Sequence, residues 1–217
     1  MKHALRHKWR WIAASALIAV LAGGLCFARF YPIRKLFRGS YESLRGWHPI
    51  SGHWEAHSGV FTNSNYGRGD MLVASHSQGT DYRISADVRF DLLFPETHFG
   101  DAGLVIRTTD PEQGVDSYQG YYAGLRPDGQ ELILGRASFD WHLLKSVHLL
   151  TPVSTGVWYH MQMSARGCTI SVNVTPASGG PSTVLEYNDT NCLTEGVAGL
   201  RSFYAEASWK NVEITSY

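Results

Sequence analysis

This sequence predicts an all-β chain, a two-sheet antiparallel sandwich preceded by one N-terminal apolar helix, on three observations. Beyond Trp47, hydrophobic residues recur with a period of two rather than 3.6. Gly, Pro and Asp clusters punctuate the alternating runs at short intervals. No segment of ten or more residues past position 40 combines helical periodicity with caps.

The chain divides into four parts: a basic segment over 1–10, an apolar run over 11–28, a basic stalk over 29–45 and the sandwich over 46–217. Trp11 to Ala28 is an uncharged run of 18 residues between Arg10 and Arg29, at the lower limit for a membrane-spanning helix. It reads as a transmembrane signal-anchor that stays attached, with cleavage after Ala28 as the alternative. Cys26 follows Leu25, where lipid modification requires a small residue. The expected location is therefore membrane-anchored with the body extracytoplasmic, in the periplasm or at the cell surface, and secreted if the segment is cleaved.

The body is read from its alternation. In DYRISADVRF, Tyr82, Ile84, Ala86, Val88 and Phe90 share one face, and Arg83, Ser85, Asp87 and Arg89 the other. In VWYHMQMSA the inward set is Val157, Tyr159, Met161, Met163 and Ala165. Cys168, Ile170, Val172 and Val174 continue the pattern in the next run. Pro127-Asp128-Gly129, Arg166-Gly167 and Gly179-Gly180-Pro181 mark turns between strands. About a dozen strands result. Cys168 and Cys192, the two cysteines outside the apolar run, are an even pair in a body expected to be exported, and hence a disulfide candidate.

Charge excludes one class of partner. The first 38 residues hold eight basic residues and no acid, which leaves 11 Lys+Arg against 19 Asp+Glu, a formal charge of −8, on the rest of the chain. Nucleic acid demands a basic surface, so it is not an expected partner.

In order, GHWEAHSGVF, DYRISADVRF, GDAGLVIRTTD, GYYAGLR, GVWYHMQMSARGCTISV, GVAGLRSF and ASWKNVEI resemble a concanavalin A-like, laminin G-like jelly roll. Within that group the chain is similar to the carbohydrate-binding modules attached to fructan-degrading glycosidases, and to bacterial 3-keto-disaccharide hydrolase domains. The resemblance covers nearly all of residues 46–217 and implies the jelly-roll fold and a glycan or glycoside as ligand. It does not by itself imply catalysis, since function belongs to sites rather than folds.

Parity nominates a surface. In DAGLVIRT, Ala102, Leu104 and Ile106 face inward, leaving Gly103, Val105 and Arg107 outward. Around GYYAGLR, Tyr121, Ala123 and Leu125 face inward, leaving Tyr118, Tyr122 and Arg126 outward, with Gly120 and Gly124 between them leaving room for a ligand. An arginine fork beside tyrosines suits a sugar, whose ring stacks while its hydroxyls accept hydrogen bonds. The expected ligand-binding set is Arg107, Tyr118 and Tyr122, with Trp141 as one wall.

No catalytic residues are assigned. The chain lacks the closely spaced E-x-D-x-x-E carboxylates of concanavalin A-like glucanases, a G-x-S-x-G elbow and a GxxxxGK[ST] loop. Where the 3-keto-disaccharide hydrolases carry an E-x-Q segment, this chain has SYQGYYAG. His53, Glu55 and His57 share one strand face, which reads as a solvated surface rather than a zinc site. No cofactor is expected. Laminin G-like domains often hold calcium at a loop rim, where Asp70 or Asp101 would supply oxygens here. The leading function is a membrane-anchored, lectin-like carbohydrate-binding domain. A glycoside hydrolase or lyase acting on 3-keto or related glycosides is the alternative, and a protein-binding adhesion domain the third.

Overall fold

The computed structural model describes residues 44–217 except Pro95 and Thr97, within the unit Ser40–Tyr217. The apolar run 11–28 and nearly all of the stalk lie outside the described residues. The described residues contain no helix long and apolar enough to cross a membrane.

Among the described residues alternation becomes fourteen strands, rather than about a dozen. In chain order they are β1 (Trp47–Ser51), β2 (Trp54–His57), β3 (Val60–Asn63), β4 (Arg68–Ala74), β5 (Tyr82–Leu93), β6 (Asp101–Thr109) and β7 (Gln119–Arg126). There follow β8 (Glu131–Ser138), β9 (Trp141–His148), β10 (Trp158–Arg166), β11 (Thr169–Pro176), β12 (Thr183–Asn188), β13 (Val197–Phe203) and β14 (Ala205–Ser216). They form two seven-stranded sheets, a front sheet ordered β1-β4-β13-β6-β7-β8-β9 and a back sheet ordered β12-β11-β10-β5-β14-β3-β2. Each strand pair is antiparallel.

The expected inward set of β5 is wholly buried, as are Tyr159, Met161, Met163 and Ala165 of β10 and Ile170, Val172 and Val174 of β11. Val157 falls just before β10 and is 40% exposed, because the period-two pattern begins only where the ladder does. From the front sheet come Leu104, Ile106, Tyr121, Ala123, Leu132 and Leu200, so the inter-sheet core is a single apolar layer. Buried Trp209 of β14 donates its ring N–H across that layer to the Gly103 carbonyl at 3.2 Å, satisfying the indole that burial would otherwise penalise.

The front sheet is apolar on its outer face too. Met71, Val73, Val105, Tyr118, Tyr122, Ile133 and Ala137 form a second buried cluster there, with Ile50, Trp141 and Val197 packed against it. A bare antiparallel face would be polar. This one is covered in part by the β6–β7 connection, residues 110–118.

Cys168, in the β10–β11 turn, is disulfide-bonded to Cys192 beyond β12. In the chain-entropy model a loop of this size stabilises the domain by about 3 kcal/mol. Asp189 beside it accepts from the Tyr121 hydroxyl (2.6 Å) and from Arg136 Nη1 (3.1 Å), and Arg136 also donates to the Asn191 carbonyl. Burial raises the Asp189 pKa, but the hydrogen bonds from Tyr121, the Asn191 N–H and Arg136 outweigh it, leaving the carboxyl below the usual range.

Candidate functional site

Arg107 does not lie on the expected face. Between Ile106 and Thr109 the β6–β7 register shifts, and Arg107 itself adopts a left-handed backbone (φ 51°). That bulge breaks the alternation and turns the side chain away from the tyrosines. Arg107 is fully buried. Its Nη2 and Nε donate to the Thr80 carbonyl (2.8 and 3.2 Å), Nη1 donates to the Leu193 carbonyl, and Asp81 stands 3.5 Å away. Its backbone N–H donates to the Tyr82 hydroxyl. The residue ties the start of β5 and the segment after the disulfide to the front sheet.

Tyr118, Tyr122 and Trp141 are brought together on the outer face, but as packed rings. Tyr118 and Tyr122 are 2% and 0% exposed, and the Trp141 ring meets Tyr122 edge-on at 6.0 Å. The glycines expected to leave room for a ligand make room for these rings instead. A Cβ at Gly124 would fall 2.5 Å from the Tyr122 hydroxyl, one at Gly120 3.1 Å from the Tyr118 ring, and one at Gly135 2.3 Å from Trp141.

The charged centre of this face is Arg201, on β13. Ala198 and Leu200 point into the core, so alternation sends Arg201 and Phe203 outward. The guanidinium lies 4.5 Å from the Tyr122 ring centroid, 5.9 Å from Tyr118 and 5.8 Å from Phe203. Its Nη2 donates to Asp116 at 2.6 Å, and Asp101 is 3.9 Å from Nη1. Asp101 also accepts the Tyr122 hydroxyl at 2.5 Å. Burial pushes the Asp101 carboxyl up to about 6, against the opposing pull of Arg201 and of the Tyr122 hydrogen bond. Burial likewise raises the Tyr122 and Tyr118 hydroxyls, so both stay protonated at neutral pH. Among the described residues, Arg201 Nε and the Tyr118 hydroxyl are two of four buried side-chain atoms without a hydrogen-bond partner, the others being Thr108 Oγ1 and Arg126 Nε.

Asp116 belongs to the 110–118 connection, so its ion pair pins that loop over the sheet. Two internal backbone bonds, Glu112 N–H to the Ser117 carbonyl and Tyr118 N–H to the Asp116 carbonyl, keep the loop compact. Gly114 comes so close to β4 that a Cβ at Gly69 would meet its carbonyl at 3.4 Å and Arg201 Nη2 at 3.2 Å. Gly69 has φ +99°, a conformation side chains rarely adopt, so glycine is required there.

An open cleft of about 250 Å3 lies beside this loop. It is lined by Ser51, Gly52, Asn65, Gly67, Arg68 and Asp70 from the β1 to β4 side and by Gln113, Gly114 and Val115 from the loop. Asp70 is already committed, accepting from Asn63 Nδ2 (2.9 Å), Asn65 Nδ2 (3.0 Å) and the Gly67 N–H (3.0 Å). Arg68, Asn65 and Gln113 are exposed. His53 and Glu55 are solvent-facing and 4.0 Å apart. Among the described residues no group of three His, Cys, Asp or Glu side chains is placed to hold a metal.

Sequence reasoning passed over Arg201, Asp116, Arg68 and Gln113. The alternation of GVAGLRSF could have found Arg201. The loop residues carried no periodic signal.

Solved structures share this architecture. The carbohydrate-binding module CBM66 from Bacillus subtilis is 20% identical over 79% of this chain and 96% of its own, with a TM-score of 0.65. A protein of unknown function with a galectin-like fold, also from Bacillus subtilis, is 13% identical over 83% of this chain and 95% of its own (TM-score 0.62). The VIP36 exoplasmic/lumenal domain in its Ca2+/Man2-bound form is 10% identical over 79% and 81% (TM-score 0.61). These likenesses establish the fold. No curated protein sequence matches the chain. Residues 32–215 match the family described as the 3-keto-alpha-glucoside-1,2-lyase-like domain, and the chain belongs to that family.

Proposed function

We propose that the domain binds carbohydrate in the cleft between β4 and the 110–118 loop, and that it does so without catalysis. The observation that carries this reading is the chemistry of the cleft wall. Asn65, Arg68, Gln113 and Ser51 offer neutral and cationic hydrogen-bonding groups around a space the size of a sugar ring, with bare backbone at Gly52, Gly67 and Gly114. Asp70 is the single carboxylate in the wall, with Oδ2 accepting three hydrogen bonds, so no pair of carboxyls faces across the cleft as glycoside hydrolysis requires. The likeness of the fold to a carbohydrate-binding module and to the Ca2+/Man2-bound VIP36 exoplasmic/lumenal domain supports the same ligand class. The apolar run 11–28 would hold the domain at a membrane, and the disulfide suits the oxidising side of it.

The test is a glycan array followed by titration of Arg68→Ala and Gln113→Ala. Each should weaken the retained glycan about tenfold to a hundredfold, as expected when a sugar hydroxyl loses its partner. An array that retains no glycan overturns the proposal.

One observation favours a lyase or hydrolase as the second reading. Asp101, in contact with Tyr122 and near Arg201, titrates at about 6, the range of a general acid or base at neutral pH. Substrate would have to lift the 110–118 loop to reach it. Incubation with a 3-keto-α-glucoside, followed by NMR, separates the two readings. Turnover abolished by Asp101→Asn selects the enzyme, and an unchanged spectrum selects the binding module.

A further inference from the structure

A cluster of five aromatic rings borders the cleft, and of these only Phe203 also lies near Arg201. Tyr66, Phe94, Phe99, Phe203 and Tyr204 come from three separate segments. Phe203 and Tyr204 lie 4.6 Å apart, Phe94 and Tyr204 5.2 Å, Phe99 and Phe203 5.9 Å, and Tyr66 and Phe94 6.2 Å. Each ring is only partly buried. Rings that served the core alone would be closed over, as Tyr82 and Trp209 are.

The backbone that presents them is fixed. Tyr204 has φ 50°, an uncommon conformation for a bulky residue. It is held from both sides, its N–H donating to the Gly67 carbonyl (2.9 Å) and its carbonyl accepting from Phe94 N–H (3.0 Å). Gly67 and Arg68 are also cleft wall, and the Arg68 guanidinium lies 5.9 Å from the Tyr204 ring centroid. A second arginine, Arg126, lies 5.4 Å from the Phe99 ring centroid. The cluster therefore begins where the cleft ends, with Arg68 common to both.

We propose that this aromatic rim is a second sugar subsite, taking the apolar C–H face of the next unit of an oligosaccharide whose first unit occupies the cleft. The inference rests on the carbohydrate reading and adds the ligand class: chains of two or more sugars rather than monosaccharides. Stacked rings accept a sugar's C–H face, while a neighbouring guanidinium reaches the hydroxyls around its edge. Partly exposed aromatic rings with arginine heads beside them suit that amphipathic surface.

The experiment uses the full-length chain and an array of α- and β-linked glucosides, mannosides, galactosides and fructosides of one to five units. Titration of the retained series should show at least tenfold tighter binding for two or more units than for one. Tyr204→Gly removes a ring while suiting the left-handed backbone, and Tyr66→Ala removes another from outside that turn. Both should bring the oligosaccharide down to the affinity of the monosaccharide, whose own affinity stays unchanged. Equal affinity across lengths, or length preference surviving in both folded variants, overturns the subsite and leaves the cleft intact. A wild-type dimer in sedimentation that Tyr204→Gly dissociates also overturns it, because the rim would then pack against a second copy. No glycan retained at any length overturns the carbohydrate reading itself.

Discussion

Replacing Asp101 with Asn should change how stability depends on pH, with a sign fixed by burial. An ordinary aspartate titrates at 3.8, and burial lifts Asp101 to about 6 in the folded domain. The folded state therefore holds the proton more tightly than the unfolded chain does. Its contribution is fully present below 3.8 and is lost as pH rises through about 6. The gap of about two pH units corresponds to roughly 3 kcal/mol between pH 3.5 and pH 7.5. Asn keeps an oxygen to accept the Tyr122 hydroxyl and carries no charge at any pH, so it removes the titration with little change of shape. Urea unfolding of both proteins across that range isolates the group, since every other carboxyl titrates in both. The stability of wild type minus variant should fall by about 3 kcal/mol from acid to neutral pH, with unchanged urea dependence. A flat difference would refute the reasoning, and a difference rising with pH would mean that Arg201, rather than burial, sets the titration.

Arg107→Ala should lower stability by about 2–4 kcal/mol, because it strips the Thr80 and Leu193 carbonyls of charged donors; a loss below about 0.5 kcal/mol in urea unfolding would contradict the latch. Glycan affinity should be unaffected by that change. Reducing Cys168–Cys192 should lower the melting temperature by about 10 °C, read by calorimetry with and without reductant. Two thiols titrating in the native protein isolated from cells would argue against the bridge in the cell. A periplasm-dependent reporter fused after Tyr217 should be active if residues 11–28 anchor an exported body, and a silent one beside an active cytoplasm-dependent reporter would reverse that topology.

Much of the back sheet was legible because each strand there has one apolar face and one polar face. Tyr82, Ile84, Ala86, Val88 and Phe90 are buried where alternation puts them. The front sheet was harder. In β6 both Leu104 and Val105 are fully buried, so alternation told which residues share a face but not which face meets solvent. The bulge at Arg107 had no signature, since its left-handed backbone is carried by a residue other than glycine. Gly120 and Gly124 were correctly read as space, but not as space already filled by tyrosine rings. Arg201 was legible from its neighbours Ala198 and Leu200. The loop that covers it was not, because Gln113, Gly114 and Asp116 are placed by an ion pair to Arg201 and by backbone bonds within the loop, contacts formed only in the folded chain.

The strand order has a consequence for how such a chain is made. β13 sits between β4 and β6, and β14 between β5 and β3, so the two strands latest in sequence among the described residues are interior strands, one in each sheet. Twelve earlier strands can form hairpins, but neither sheet closes until the final stretch arrives. Pairings this distant in sequence fold slowly. Loss of β14 would remove the strand joining β5 to β3, splitting the back sheet instead of trimming its edge.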